Sequence, residues 1–383
     1  MDDRSELRLR TVLTLRTLLA QLGKVLLVMA ACHVLLLLLS LWVYPVKHDV
    51  DVLAHDRSVY RGHFKSAVYG ALESGFRDGR QVVIVGSSNA LLGFRPGEVE
   101  ALLPGAHVHN LSTPSIRADE IRELVELAWN VIPEEQRRRT TFVVPLTFAS
   151  FPGPKSFYGK RVAGVEQEIR QSGLFREVDG RFVPRWTGLP LAVATSIRRP
   201  LAFAEALSDD LSGLAFGLRQ FLSAAFYKHT VDRTLLAERR PREALLFPRA
   251  DSADAQATNL AFFRAALGGD ETGLSQAQFD ELSRLCAWAD ANHVDLVLVG
   301  MPVPGWVRSG LPYPAQYRDK LEPILRAVEQ SPSVRFVDLA DADLPLWDAT
   351  HPAPGKTTAW AESLVAVLNA KDQPDHVPAG ARQ

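Results

Sequence analysis

This chain of 383 residues has few cysteines and almost no net charge. Its two cysteines, Cys32 and Cys286, lie in an apolar N-terminal run and in a predicted helix, so we expect neither a disulfide framework nor a cysteine-based metal site. Lys and Arg number 43 against 44 Asp and Glu, which leaves a formal net charge of −1. Without a basic bias or a nucleic-acid-binding signature, we expect no binding to DNA or RNA.

The N-terminus carries one long hydrophobic run. Residues 25–44 are almost uninterruptedly apolar, and twenty residues at helical rise cover roughly 30 Å, the thickness of a bilayer core. Basic residues precede the run and a mixed flank follows it. The positive-inside rule therefore predicts a single-pass inner (plasma) membrane protein with residues 1–24 in the cytoplasm, residues 25–44 as the transmembrane anchor, and residues 45–383 as an extracytoplasmic (periplasmic) domain. A cleavable signal peptide and a buried core helix are the alternatives.

Strand-like and helix-like segments alternate through two parts of the chain. Short apolar runs predict strands at residues 82–85, 107–111, 141–146, 294–301 and 334–339, of which the fourth is the longest. Helical spacing of apolar residues predicts helices at residues 57–78, 96–103, 118–131, 279–292, 315–330 and 357–370. This alternation is typical of the α/β class and predicts a three-layer sandwich, in which helices cover both faces of a parallel sheet.

Residues 152–255 interrupt the alternation. The first part is rich in glycine, proline and aromatic residues, and the apolar part at residues 189–227 predicts helices, so we expect a large, mostly helical insertion. It could serve as a lid or recognition element over a site, or as an interface with the membrane or a partner protein. A helical cap with no role beyond packing is the third interpretation.

Two short motifs follow the first and the last predicted strands. Gly86-Ser87-Ser88 places a hydroxyl where a helix begins, and helix N-termini favour developing negative charge. Asp348-Ala-Thr-His351 can present both side chains on one side of a turn. Together they supply a serine nucleophile, a histidine base and a carboxylate that orients the base. Plainer interpretations are a serine that caps a helix, and a surface turn in which the aspartate binds backbone amides beside a solvated histidine.

In this order the motifs resemble those of the SGNH (GDSL-like) hydrolase superfamily, over roughly residues 80–150 and 275–370. Gly86-Ser87-Ser88 is similar to the first block, G-D-S, and the last motif is similar to the block D-x-x-H. The resemblance implies that Ser88 is the nucleophile, His351 the base and Asp348 its orienting carboxylate. It also implies an SGNH (flavodoxin-like) three-layer fold.

The stretch from residue 108 to Ser115 looks like the second block of the family, N-x-(S/G)-x-x-G. The resemblance implies that the backbone N–H groups of Ser88 and Ser115 form an oxyanion hole, and that Asn110 has an auxiliary role. Here Ser115 replaces a glycine. A residue with a Cβ keeps the N–H donor if its backbone dihedral angles suit the position.

The third block of the family, G-x-N-D, is absent, because this chain has Pro145-Leu146-Thr147-Phe148 at the end of the corresponding strand. Losing one oxyanion donor costs about 3–4 kcal/mol where it has been measured. We expect Thr147 or another backbone amide to compensate. Otherwise the reaction at this site is slow.

The missing asparagine and the single anchor also resemble one branch of the superfamily, the membrane-anchored D-alanyl transfer proteins and polysaccharide O-acyltransferases. That branch works beside a membrane-bound O-acyltransferase. The resemblance implies a serine acyltransferase or esterase without a cofactor, acting on acyl groups of a cell-envelope polysaccharide or glycolipid. His107 and His109 share a strand face but lack a third ligand, so we expect no metal site.

The alternative function is a non-catalytic protein with the SGNH fold, which serves as a scaffold or binding protein in a polysaccharide modification or secretion complex. The incomplete third block and the large apolar insertion favour it.

Overall fold

The computed structural model describes residues 3–43, 79–113, 115–132, 134–153, 175–179, 181–185, 250–267, 273–340, 344–353 and 356–369, together with residues 156, 170, 190 and 342. The predicted helix at residues 57–78 and, apart from residue 190, the predicted helices of residues 189–227 lie outside these residues.

The N-terminal helix α1, Asp3–Val43, contains the hydrophobic run and extends well before it. Its segment Thr14–Leu39, 26 residues with a mean hydropathy of 2.4, is long and apolar enough to cross a membrane, and none of it is buried inside the protein. Side chains such as Leu27 (71% exposed) and Trp42 (80% exposed) face outward. Burying a large apolar side chain is worth about 1.5–3 kcal/mol, so these exposed side chains favour apolar surroundings. Among the described residues, α1 is not a buried core helix.

Five parallel strands form the central sheet, and two more form a separate antiparallel hairpin. The strands are β1 Arg80–Ile84, β2 Ala106–Asn110, β3 Thr140–Leu146, β4 Phe175–Val178, β5 Arg181–Pro184, β6 Asp295–Gly300 and β7 Val334–Asp338. The sheet runs in the order β2-β1-β3-β6-β7. The predicted α/β class with a parallel sheet is thus confirmed. Counting only the sheet strands, the order is 2-1-3-4-5, the flavodoxin-like doubly wound order, which places ligand sites at the carboxyl ends where β1 and β3 diverge.

The prediction that residues 294–301 form the longest strand is wrong. β3 has seven residues and β6 has six. Val294 is not part of β6, because its N–H donates to the carbonyl of Ala289 at the end of the preceding helix (2.8 Å). The apolar run is therefore shared between a helix-ending turn and the strand.

Helices cover both faces of the sheet. They are α2 Ser88–Gly93, α3 Pro96–Leu102, α4 Ala118–Val131, α5 Glu134–Arg137, α6 Ala253–Ala266, α7 Gln276–Ala291, α8 Gly305–Gly310, α9 Tyr313–Val328 and α10 Thr357–Asn369. Neighbouring strand residues point to opposite faces. Val83 and Phe142 accordingly pack in one core with α4, α7 and α9, whereas Val82 and Val143 pack in a second core with α3 and α10.

The hydrogen-bond ladder between β1 and β3 stops at their carboxyl ends. The N–H of Val85 still donates to the carbonyl of Val143 (2.8 Å), but the next donor on β3 would be Pro145, which has no N–H. On the side that faces β2, the chain after β1 stays hydrogen-bonded, since the N–H of Thr113 donates to the carbonyl of Gly86 (2.9 Å). The hydrogen-bond ladder between β1 and β3 therefore ends directly before Gly86 and Ser88.

Part of the insertion at residues 152–255 is described. Within its first part, residues 175–178 and 181–184 form the β4–β5 hairpin, and β5 lies against α4. Its last residues already belong to α6, whose N-cap Ser252 accepts a hydrogen bond from Ala255 N–H (3.2 Å). Neither element was predicted from the sequence.

Candidate active site

Ser88 is the first residue of α2 and lies at the carboxyl edge of the sheet. Ser87 occupies the N-cap position, but its side chain makes no capping hydrogen bond. Gly86 brings the turn close to the helix: a Cβ built on Gly86 would lie 2.8 Å from the Cβ of Ala90 and 3.3 Å from Pro145. Glycine is therefore needed here for close approach, and it lets the chain turn directly from β1 into α2.

Asp348 and His351 lie on a closed loop that precedes α10. The loop is tied across its base, where Trp347 N–H donates to the carbonyl of His351 (2.8 Å) and Leu346 pairs with Pro352. Asp348 Oδ1 accepts from the N–H groups of Thr350 (2.9 Å) and His351 (2.8 Å). One oxygen of the carboxylate thus holds the turn, which leaves the other oxygen for the imidazole.

The structure brings the three predicted side chains together. Asp348 Oδ2 lies 2.7 Å from His351 Nδ1, and Ser88 Oγ lies 2.8 Å from His351 Nε2. With its proton on Nδ1, the imidazole donates to Asp348 and accepts the Ser88 O–H, which is the protonation state that this geometry suits. This is the spacing at which a base can take a proton from a hydroxyl that attacks an acyl carbon.

The burial of its side chains distinguishes this site from a surface turn. His351 is 6% exposed and Asp348 is 2% exposed, whereas Ser88 is partly exposed. The plainer interpretation, a solvated histidine beside a turn-forming aspartate, is therefore wrong for the histidine, although the aspartate does bind backbone amides. The pair is shielded from water, and the hydroxyl remains open to a substrate.

The pKa of Asp348 lies below its ordinary value. Burial acts to raise this pKa, but it is outweighed by the charge of His351, by the hydrogen bond from its ring, and by the amides of Thr350 and His351. The carboxylate is therefore ionised at neutral pH. An ionised carboxylate at Nδ1 stabilises an imidazolium when His351 accepts a proton.

Ser115 adopts φ 60°, in the left-handed region that favours glycine. The segment before it lies beside the nucleophile turn through the bond from Thr113 to Gly86. Ser115 thus has a glycine-like backbone conformation at the position where the sequence resemblance implies a glycine. The predicted oxyanion role of its N–H stays a prediction.

Asn110 ends β2 and connects two parts of the site. Its Nδ2 donates to the carbonyls of Ala90 (3.0 Å) and Phe94 (2.8 Å) at the end of α2, and its Oδ1 accepts from Ser112 N–H (3.0 Å). The side chain is buried. Asn110 therefore braces the helix that carries Ser88 against the turn that leads to Ser115, which is a positioning role.

Thr147 follows β3 and is buried. Its Oγ1 accepts from Ala149 N–H (3.2 Å) and begins a 3-10 turn, Phe148–Ser150. The hydroxyl thus serves the local backbone. The structure gives it this capping role, and its predicted auxiliary role in an oxyanion hole stays a prediction.

His107 and His109 lie on the same face of β2, as predicted. His109 Nε2 lies 2.9 Å from Gln81 Oε1. Across the described ranges, no three His, Cys, Asp or Glu side chains gather as metal ligands would.

One hydrogen bond beside the site was not predicted from the sequence. Ala250 N–H donates to the carbonyl of Trp347 (3.0 Å), the residue before Asp348. A backbone bond between remote residues leaves no residue-type signature, so only the folded chain reveals it.

No family model matches this chain, and no curated protein matches it. What its residues can do chemically therefore follows from their arrangement.

Proposed function

We propose that this chain is a membrane-tethered serine acyltransferase or esterase of the SGNH type, acting on acyl groups of a cell-envelope polysaccharide or glycolipid. One observation carries the proposal: the hydrogen-bonded series Ser88–His351–Asp348, with distances of 2.8 and 2.7 Å. The position of the series at the β1/β3 divergence, at the carboxyl ends of parallel strands, supports it further.

In the first half-reaction, Ser88 Oγ attacks the acyl carbonyl carbon while its proton passes to His351 Nε2. The new C–O bond forms as the carbonyl π electrons move to oxygen, which gives a tetrahedral oxyanion. Collapse of this intermediate expels the alcohol oxygen of the donor, which takes the proton from Nε2. Asp348 holds the imidazole and stabilises its charged form throughout.

In the second half-reaction, water or a sugar hydroxyl attacks the acyl-Ser88 ester. His351 takes the proton of the attacking group and returns it to Ser88 Oγ as the ester bond breaks. Hydrolysis and transfer differ only in which hydroxyl attacks. The backbone N–H groups of Ser88 and Ser115 are the donors that we assign to the oxyanion.

The anchor supports an extracytoplasmic site. The basic residues before the apolar segment of α1 favour a cytoplasmic N-terminus, which would place residues 45–383 in the periplasm. An envelope glycan or glycolipid would then be the donor or acceptor. If the reaction is acyl transfer, a membrane-bound O-acyltransferase that exports acyl groups would be the partner, because activated acyl donors are made in the cytoplasm.

The test is covalent labelling of the full chain in detergent micelles with a fluorophosphonate, read by intact mass and peptide mapping. We expect one adduct on Ser88 and none in Ser88→Ala. Ser87→Ala is the matched control and should label like the wild type. His351→Ala should slow labelling by at least about 10³-fold, since the hydroxyl then lacks its base. A folded wild type that resists labelling would overturn the proposal.

A non-catalytic scaffold of the same fold is the second candidate. The use of the Thr147 hydroxyl as a cap favours it, because no side-chain donor then stands at the third-block position. This candidate predicts that cells carrying Ser88→Ala keep normal glycan acylation. Loss of acylation in that strain would exclude it.

A further inference from the structure

The peptide group that joins Trp347 to Asp348 accepts a hydrogen bond from a residue that is not part of the Asp348 loop. Its carbonyl oxygen accepts the N–H of Ala250 at 3.0 Å. Because the peptide unit is planar, fixing this oxygen also fixes the direction in which the chain enters Asp348. The loop's own bonds, from Trp347 N–H to His351 and from the turn amides to Asp348 Oδ1, do not restrain this carbonyl.

Ala250 is itself held to a helix that is anchored in the core. Gln256 Nε2 on α6 donates to the carbonyl of Ala250 (3.1 Å). Further along α6, Phe263 is buried and packs edge-on against Phe148, with ring centroids 5.7 Å apart. The restraint on Asp348 therefore runs from the core, through α6 and Gln256, to Ala250 and the Trp347 carbonyl.

We propose that the Ala250 N–H is a positioning group for the candidate reaction, and that it acts through Asp348. The proposal rests on the proposed function, since it concerns the carboxylate that orients His351. Without this bond the Trp347–Asp348 peptide loses one of its restraints, and we expect Asp348 Oδ2 to shift relative to Nδ1. A misplacement of about 1 Å in such a constellation costs about 10²-fold in rate.

The position also has a consequence for the insertion. Ala250 is the first described residue after residues 191–249, and Trp347 is the last residue before the carboxylate. At the other end, Gly153 N–H donates to the carbonyl of Leu267 just after α6 (2.9 Å). Gly153 and Ala250, near the two ends of the insertion, are thus bonded to the residue after α6 and to the residue before Asp348.

Ala250→Pro tests the proposal, because proline removes this one N–H. Ala250→Gly keeps the donor and is the matched control. Gln256→Met, which loses the donor to Ala250 but keeps a side chain of similar length, is a second variant if the proline variant does not fold. All are compared as full chains in detergent, by thermal unfolding and by the rate of fluorophosphonate labelling at Ser88.

We expect Ala250→Pro to lower the labelling rate by about 10- to 100-fold, Gln256→Met to lower it less, and Ala250→Gly to leave it close to the wild type. The decisive readout is a double-mutant cycle. In an Asp348→Asn background, Ala250→Pro should change the remaining rate little, because the group through which it acts is already gone. Equal rate losses in both backgrounds would show that Ala250 acts elsewhere and overturn the inference.

A second readout does not require catalysis. The lowered pKa of Asp348 makes stability fall in acid, and this fall needs a correctly placed carboxylate. The quantity compared is the fall in unfolding free energy in acid, measured with and without Asp348→Asn. We expect the difference between these two falls to shrink when Ala250→Pro is also present. If the wild type is not labelled but this difference shrinks, the proposed function fails and the positioning inference stands. An unchanged difference overturns the inference.

Discussion

Ser88 Oγ lies 2.8 Å from His351 Nε2, although 263 positions separate the two residues in the chain. Ser88 follows β1, whereas His351 lies on the chain that follows β7, and β3 and β6 stand between these strands. Three strand spacings amount to roughly 14 Å. The segment after β7 must therefore return along the carboxyl edge of the sheet. The closed loop around Asp348 lies at the end of this segment and places His351 beside Ser88.

Gly86 should be essential to the position of Ser88. In Gly86→Ala the new Cβ would meet Ala90 at 2.8 Å and Pro145 at 3.3 Å, so α2 must shift as a unit. We expect fluorophosphonate labelling to fall by about 10²-fold, because α2 carries Ser88 out of reach of His351. Gly97→Ala on α3 is the control, since a Cβ there meets nothing within 4 Å. Normal labelling of Gly86→Ala would contradict this account of the turn.

Asn110 should matter for stability and for labelling together. Asn110→Ala leaves the Phe94 carbonyl and the Ser112 N–H without the Asn110 side chain as their buried partner, whereas the Ala90 carbonyl still accepts the N–H of Phe94. We expect a loss of about 2–4 kcal/mol in unfolding free energy, measured by chemical denaturation, since each buried group left unpaired costs about 1–3 kcal/mol. Asn292→Ala, which removes one exposed bond to a helix carbonyl, should cost less than about 1 kcal/mol. Similar losses in both variants would contradict the bracing role.

Ser115→Gly tests whether the backbone N–H or the hydroxyl of Ser115 acts at the site, because glycine keeps the N–H and removes the hydroxyl. A non-glycine residue at φ 60° costs about 1–2 kcal/mol, and the greater freedom of glycine in the unfolded chain offsets about 0.4–1 kcal/mol of the relief. We expect unchanged or slightly higher thermal stability and a labelling rate within about two-fold of the wild type, because the N–H is kept. His293→Gly, at φ 54°, is the control for the backbone effect alone. A large rate loss in Ser115→Gly would show that the hydroxyl is the group that acts.

Asp348 should make stability depend on pH on the acid side. A carboxyl whose folded pKa is lowered contributes stability above its ordinary pKa of about 4, and this contribution is lost as the pH falls through the lower, folded value. We expect the wild type to exceed Asp348→Asn by about 1–3 kcal/mol near pH 6, and the gap to close below about pH 4. Denaturant titrations from pH 3 to pH 7 measure it. A gap that is constant across this range would contradict the lowered pKa.

The sequence by itself determined the elements and the chemistry-bearing residues. Short apolar runs and period-3.6 apolar patterns report local burial, so the sheet strands and α4 were predicted close to their observed bounds, and the two motifs indicated Ser88, Asp348 and His351. The hydrophobic run likewise predicted a membrane-length helix, although α1 begins far before residue 25.

Only the tertiary structure decided how these parts meet. Strand order, the close approach of Gly86 to Pro145, the brace at Asn110 and the bond from Ala250 to Trp347 all involve residues that are remote in the chain. Backbone groups are the same in every non-proline residue, and packing depends on the sum of many weak contacts. No local pattern therefore encodes them, and a serine and a histidine become neighbours only when the whole sheet has formed.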